Sequence, residues 1–278
     1  MFRKVLLCTD FSEPSKKLMD CLPEMIPFGL QEVVLLHVVN IRSAGGNAAQ
    51  FQKFNQDELK SWHDQIKEIG IEATVRVPIG FPPYGIVDTA RDEDVTLILM
   101  GSIGKGLLRR FFMGSTAFDV LRLSRHPVLI EKFKQTGDEN WETTCQIKMR
   151  KVLVPVDFST HSLHAVAQMR TLLSGRGEIV LVSIIEKGTR GEEIRSQIET
   201  DLERLKAEAI EEGQSVSVYV RQGIPSVEIL KLAEETDATL IALPKRGTGE
   251  SEGQILGSTA EAVAVRSKIP VLLFPIEL

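Results

Sequence analysis

Cysteine is nearly absent. Cys8, Cys21 and Cys145 are the three among 278 residues, too few and too scattered for a disulfide framework, and no CxxC pair is present to hold zinc. That usage fits a reducing cytoplasm. Uninterrupted apolar runs are also short: none approaches the roughly 18 residues that span a bilayer, and the opening MFRKVLLCTDF lacks the apolar segment of a signal peptide. There is no surplus of positive charge. The net charge of −5 argues against a broad basic footprint for nucleic acid or an anionic membrane, so any anion site must be local. Finally, the chain carries no GxxxxGK[ST] and no GxGxxG after its first strand, which excludes a P-loop and a Rossmann dinucleotide site.

What remains is ordinary for a soluble globular protein, with 43% hydrophobic and 26% charged residues. At roughly 150 residues per domain the length suggests two domains. The chain also repeats itself. FRKVLLCTDFS (2–12) returns as MRKVLVPVDFS (149–159), and VRVPIGFPPYGIVDTARDEDVTLILMG (75–101) as YVRQGIPSVEILKLAEETDATLIALP (219–244). MGSTAFDVLRLSRHPVLIEKF (113–133) returns as LGSTAEAVAVRSKIPVLLFPI (256–276). A duplicated unit of about 140 residues accounts for this, with domains at 1–135 and 149–278. The stretch KFKQTGDENWETTCQIKM (132–149) is polar and unpatterned, and its part 136–148 reads as a linker.

Within each copy, β-branched runs alternate with segments of helical period, the signature of βαβ units and a parallel sheet. In the first copy this predicts strands at 4–9, 32–39, 71–77, 96–100 and 128–132, and helices near 14–26, 52–69, 83–92 and 115–124. The second helix is the clearest, because Leu59, Trp62, Ile66 and Ile69 recur at helical spacing. In the second copy, 194–212 is its long counterpart, with a charged run that reads as a solvated face.

In an open parallel sheet, ligands bind outside the carboxyl ends of the strands, where strand order reverses. The first strand ends at Cys8-Thr9-Asp10, and the fourth at Met100-Gly101-Ser102-Ile103-Gly104, followed by Gly114-Ser115-Thr116. A nucleotide could use each of these residues. Gly101 and Gly104 admit backbone close to phosphate oxygens. Ser115 and Thr116 open a helix whose N–H groups attract anions, and Asp10 can accept from ribose hydroxyls. Between the glycines lie Lys105, Arg109 and Arg110 and no acid, a basic stretch beside a candidate anion site. Plainer readings stand beside these: a Gly-Ser-Thr can simply cap a helix, and an Asp after a strand can simply shape a turn. Cys8 reads as a small core hydrophobe rather than a nucleophile. Trp62 reads as packing. His161 and His164, three apart on one helix face, lack an evident third metal ligand.

The spacing Gly101-x-x-Gly104-x9-Gly114-Ser115, after VTLILMG and before a helix ending in HPVLI, resembles the ATP-binding signature of universal stress proteins. VLLCTDFS, VLVPVDFS and VVLLHVV resemble the family's opening strands, and the likeness covers nearly the whole chain in two copies. It implies an α/β fold of the adenine nucleotide alpha hydrolase type: two open five-stranded parallel sheets in 3-2-1-4-5 order, with helices on both faces. It implies ATP or AMP, with or without Mg, with adenine near Val38, ribose on Asp10, phosphates on Gly101, Gly104, Gly114 and Ser115, and the neighbours Cys8, Thr9, Met100, Lys105 and Thr116 around them. It further implies domain pairing through 127–132 and 270–275 as a pseudo-dimer within one chain, and a homodimer of chains.

The second copy departs from the pattern. Pro155, Val156, Asp157, Ile184, Gly247, Gly257, Ser258 and Thr259 keep the frame, but Pro244 stands where the first glycine should be, with no N–H and a fixed φ. The segment 245–256 sets Lys245 and Arg246 against Glu250 and Glu252. Weaker nucleotide binding, or none, is expected there. No nucleophile, base and orienting group stand at a recognisable spacing, so the expected role is a non-catalytic, nucleotide-dependent regulator; a slow ATPase and a scaffold with vestigial sites are the alternatives.

Overall fold

The apolar runs at 4–8, 32–36, 97–101 and 128–131 become strands buried on both faces, as a covered parallel sheet requires. In the computed structural model, which describes residues 2–104, 113–137, 140–186, 192–247 and 256–276, the chain divides into two units, Met1–Gln146 and Ile147–Leu278. The main strands of unit 1 are β1 (Lys4–Cys8), β2 (Glu32–Leu36), β3 (Glu72–Arg76), β4 (Leu97–Gly101) and β5 (Val128–Glu131). All pair in parallel: β1 lies between β2 and β4, β3 flanks β2, and β5 flanks β4. Order therefore reverses at β1, whose neighbours leave it in opposite directions, and a crevice opens beyond Cys8 and Gly101.

Unit 2 repeats the pattern with β6 (Lys151–Pro155), β7 (Glu178–Ile185), β8 (Ser215–Gln222), β9 (Leu240–Pro244) and β10 (Val271–Phe274). Here β6 lies between β7 and β9, with β8 and β10 outside them. The helices used below are α1 (Ala48–Glu68), α2 (Pro82–Asp92) and α3 (Ser115–Leu123) in unit 1. Their counterparts in unit 2 are α5 (Glu192–Glu211), α6 (Pro225–Glu235) and α7 (Ser258–Arg266), while α4 (Thr160–Leu173) follows β6.

Four departures from the sequence reading have local causes. The helix expected near 14–26 is a chain of single turns, Glu13–Lys16, Lys17–Cys21, Leu22–Met25 and Ile26–Phe28. Pro14, Pro23 and Pro27 each remove an N–H and crowd the preceding turn; the proline-free α4 runs unbroken. The second strand stops at Leu36 rather than 39, and Val39–Asn40 instead pairs with Ile79–Gly80 in a separate parallel bridge. Pro78, with no N–H to give, sits between β3 and that bridge. Leu59, Trp62 and Ile66 are buried along α1, joined by Asn55, but Ile69 lies past the last turn and is exposed. The stretch expected as an unpatterned linker begins with a hairpin, Phe133–Gln135 antiparallel to Trp141–Thr143.

Candidate functional site

The loop after β1 is a tight turn built by its own side chains. Asp10 Oδ1 accepts from Ser12 N at 3.0 Å and from Ser12 Oγ at 2.5 Å, and Ser12 Oγ in turn accepts from Ser15 N at 3.4 Å, capping the Glu13–Lys16 turn. Phe11 takes a left-handed conformation, φ 60°, held by its N–H on Thr9 Oγ1 at 3.0 Å and by its ring against His37 (4.6 Å) and Trp62 (6.1 Å). Thr9 is anchored in turn, because its N–H reaches Leu36 O at 2.9 Å and its carbonyl meets His37 Nδ1 at 2.9 Å.

With Oδ1 committed to the turn, the other oxygen of Asp10 lies over Gly104. A Cβ on Gly104 would stand 2.3 Å from Asp10 Oδ2. Glycine is therefore needed there to seat the carboxylate, a use of the residue that differs from phosphate approach and does not compete with it. The same test adds a packing requirement at Gly101. A Cβ at that position would meet Phe133 Cε2 at 2.8 Å and Ile103 O at 3.2 Å, so the hairpin's ring demands the glycine.

Across the crevice, Gly114 N donates to Ser102 O at 2.8 Å, and the first intrahelical bond of α3 is Phe118 N to Gly114 O at 3.0 Å. Gly114 is thus the N-cap and Ser115 the first helical residue. The N–H groups of Ser115, Thr116 and Ala117 consequently have no helical acceptor and carry the positive end of the helix dipole. Ser115 does not serve as the cap, which the plainer sequence reading of this motif left open.

One cavity of about 220 Å³ unites these parts. Cys8 at the end of β1, Thr9 and Asp10 after it, and Val38 after β2 line it from one side; Met100 and Gly101 of β4 and Gly104 beyond them, with Gly114, Ser115 and Thr116 at the start of α3, complete it. Lys105, Arg109 and Arg110 lie outside the described residues. Further lining residues escaped the sequence reading: His37, Ser15, Pro82, Ile86, Ser102 and Ala117. His37 stands inside the VVLLHVV run, and Pro82 recurs as Pro225 in the repeat, so both left a trace that spacing alone did not interpret.

Cys8 borders the cavity from a buried position, and burial pushes its thiol well above the usual range. Cys21 is equally enclosed, its Sγ 3.3 Å from the buried Glu131 Oε2. Burial shields both from solvent, and the Cys8 thiol stays protonated at neutral pH. Mass-mapped alkylation of the native chain at pH 7.5 is expected to modify Cys145, which is half-buried, with Cys8 and Cys21 reacting only on unfolding. Fast labelling of Cys8 would overturn this account of its burial.

Unit 2 rebuilds the same turn. Asp157 Oδ1 accepts from Ser159 N at 3.0 Å and Ser159 Oγ at 2.6 Å, Phe158 has φ 61°, and a Cβ on Gly247 would stand 2.4 Å from Asp157 Oδ2. Gly257 caps α7 and donates to Lys245 O at 2.7 Å. A cavity of about 380 Å³ is lined by Pro155, Val156, Asp157, Ile184, Gly247, Gly257 and Thr259, with Pro244 and Lys245 beside them. Ser258 is not in that lining and borders a separate recess with Thr259. Glu250 and Glu252 lie outside the described residues. Lys245, at 1% exposure, occupies the place of Ser102, and burial pulls its ammonium down to about 7. Among the described residues no third His, Cys, Asp or Glu joins His161 and His164 in a metal-binding group.

The model of the "Universal stress protein family" matches residues 1–132 and again 148–275. The chain belongs to that family. As a universal stress protein it is a stress-response protein of tandem type, with one family domain in each unit. Universal stress protein MJ0577 of Methanocaldococcus jannaschii is 30% identical over 159 residues, covering 49% of this chain and 98% of the relative. Universal stress protein YxiE of Bacillus subtilis is 28% identical over 146 residues, 47% of this chain and 99% of the relative. The crystal structure of a universal stress protein from Archaeoglobus fulgidus superposes with a TM-score of 0.78 at 28% identity, covering 99% of both chains. Single-domain relatives thus match half of this universal stress protein, and a relative of its full length matches all of it. No described helix is long and apolar enough to cross a membrane.

Proposed function

We propose that unit 1 binds an adenine nucleotide, ATP or AMP, and that the bound nucleotide regulates what the chain associates with rather than being turned over. The observation that carries this reading is the meeting, in one cavity, of an immobilised carboxylate and an open helix N-terminus. Asp10 suits ribose hydroxyls as an acceptor, because its orientation is fixed before any ligand arrives and little ordering cost remains. The N–H groups of Ser115 and Thr116 suit phosphate oxygens. The apolar side formed by Leu36, Val38, Pro82 and Ile86 suits the faces of a purine.

Denaturing the purified chain and identifying released small molecules by mass spectrometry tests the reading, followed by calorimetric titration of ATP and AMP into nucleotide-free protein. An adenine nucleotide carried through purification, or saturable binding at one site in unit 1, is the expected result. No released adenine nucleotide together with no heat at millimolar ligand would sink it.

A further inference from the structure

The two cavities are built on the same turn yet differ in their walls. In unit 1 the long helix α1 contributes nothing to the lining, whereas in unit 2 Ile194 and Ile198 of α5 join Ile184, Ile185, Ile229 and Leu243 in an apolar wall. The cavity is correspondingly larger, about 380 Å³ against about 220 Å³. Ile198 stands four residues before the buried Leu202, where Asn55 stands four before the buried Leu59, so a polar position on the unit 1 helix has become apolar in unit 2. The strand end has changed in the opposite sense. Ser102 and Ile103, both in the unit 1 lining, are replaced by Lys245 and Arg246. The equivalence is fixed by backbone, since Ser102 O and Lys245 O each receive the N–H of the glycine that caps the following helix.

Two basic side chains at the end of β9, Lys245 and Arg246, lie beside Gly257 and Thr259 of the α7 N-terminus, with isoleucines along the rest. The set suits a ligand with a single anionic head and an apolar body, the head favouring the charged form of a lysine that burial has pulled down to about 7. Of the acids of this cavity, Glu186 follows β7; Asp157 is nearer the basic pair, its Oδ2 against Gly247 beside Arg246, while its Oδ1 is tied down by Ser159. Ile184, Ile229 and Leu243 stand where Val38, Ile86 and Met100 stand in unit 1 and could meet a purine in the same way; Ile194 and Ile198 are the added apolar surface, which a nucleotide leaves unused. We infer that the unit 2 cavity binds an amphiphilic anion, a carboxylate or phosphate head on an aliphatic body, so that one chain reads two chemically different ligands.

The intact chain is to be titrated calorimetrically with acetate, butyrate, hexanoate and octanoate, then with octyl phosphate and ATP. One octanoate per chain is expected, with affinity rising about three- to fourfold for each CH₂ added beyond butyrate, a result read on the unaltered protein and independent of any variant's folding. Lys245→Ser and Ile198→Asn, each the residue unit 1 uses at that place, are expected to weaken octanoate at least tenfold. Comparison of octanoate with octyl phosphate identifies the preferred head. Octanoate binding should persist unchanged in a Gly104→Ala chain, which separates this site from nucleotide binding in unit 1: loss of ATP affinity there leaves the unit 2 inference standing. Octanoate binding no tighter than acetate, indifference to Ile198→Asn, or stoichiometric displacement of octanoate by ATP in the Gly104→Ala chain would each overturn it.

Discussion

Gly104→Ala is expected to lower nucleotide affinity 10- to 100-fold in calorimetric titration while leaving the fold intact by circular dichroism. The new methyl would sit 2.3 Å from Asp10 Oδ2, and the carboxylate cannot swing away freely because its other oxygen holds two hydrogen bonds from Ser12. Either those bonds break, or the Gly104 backbone shifts from the cavity rim. Both outcomes remove a charge-assisted acceptor of about 1.5–3 kcal/mol from the ligand's reach, and at about 1.4 kcal/mol per factor of ten that gives the stated range. Asp10→Ala in the Gly104→Ala background should then cost little more, since both changes remove the same group. A Gly104→Ala chain that binds ATP as the parent does would show that Asp10 takes no part.

Gly101→Ala is expected to act on stability. Its methyl would meet the Phe133 ring at 2.8 Å and a backbone oxygen at 3.2 Å, an overpacking of the kind that typically costs about 1–3 kcal/mol. Urea unfolding should show the midpoint falling accordingly. Combining it with Phe133→Leu should recover at least about 1 kcal/mol of that loss, because the smaller side chain vacates the space, and this coupling energy is the decisive quantity. If the glycine served phosphate approach instead, the single change would cost affinity with little stability, and Phe133→Leu would rescue neither. The outcome bears on unit 2: if the ring is what requires the glycine, Pro244 in its place is not by itself evidence of a spoiled site.

The duplicated architecture was readable because most strands, the outer β3 and β8 excepted, are continuous apolar runs and because the whole pattern occurs twice. Asp10, Gly104, Gly114 and Ser115 were readable for the same reason, as positions that survive in both copies at strand ends. The broken helix after β1 was not, since each of Pro14, Pro23 and Pro27 is individually compatible with a first helical turn and only their accumulation prevents a long one. The role of Gly101 depends on a ring 32 positions later in a stretch with no periodicity. His37 was hidden inside an apolar run, where period and composition assign a residue to a strand without saying that the strand ends just before it. The isoleucine wall of unit 2 was equally hidden, because Ile194 and Ile198 extend the face of a charged helix whose solvent side dominates its composition.

Phe11 and the hairpin at 133–143 have a spectroscopic consequence. The chain has two tryptophans, and both belong to unit 1: Trp62 meets the edge of the Phe11 ring, and Trp141 pairs with Gln135 in the hairpin whose Phe133 closes over Gly101. Indole emission therefore reports on the Asp10 turn through Trp62 and on the hairpin through Trp141, while unit 2, which has no tryptophan, is dark under indole-selective excitation. An unlabelled chain carries a built-in optical reporter for one of its two cavities, and fluorescence set against calorimetry in the same sample assigns each binding event to its unit.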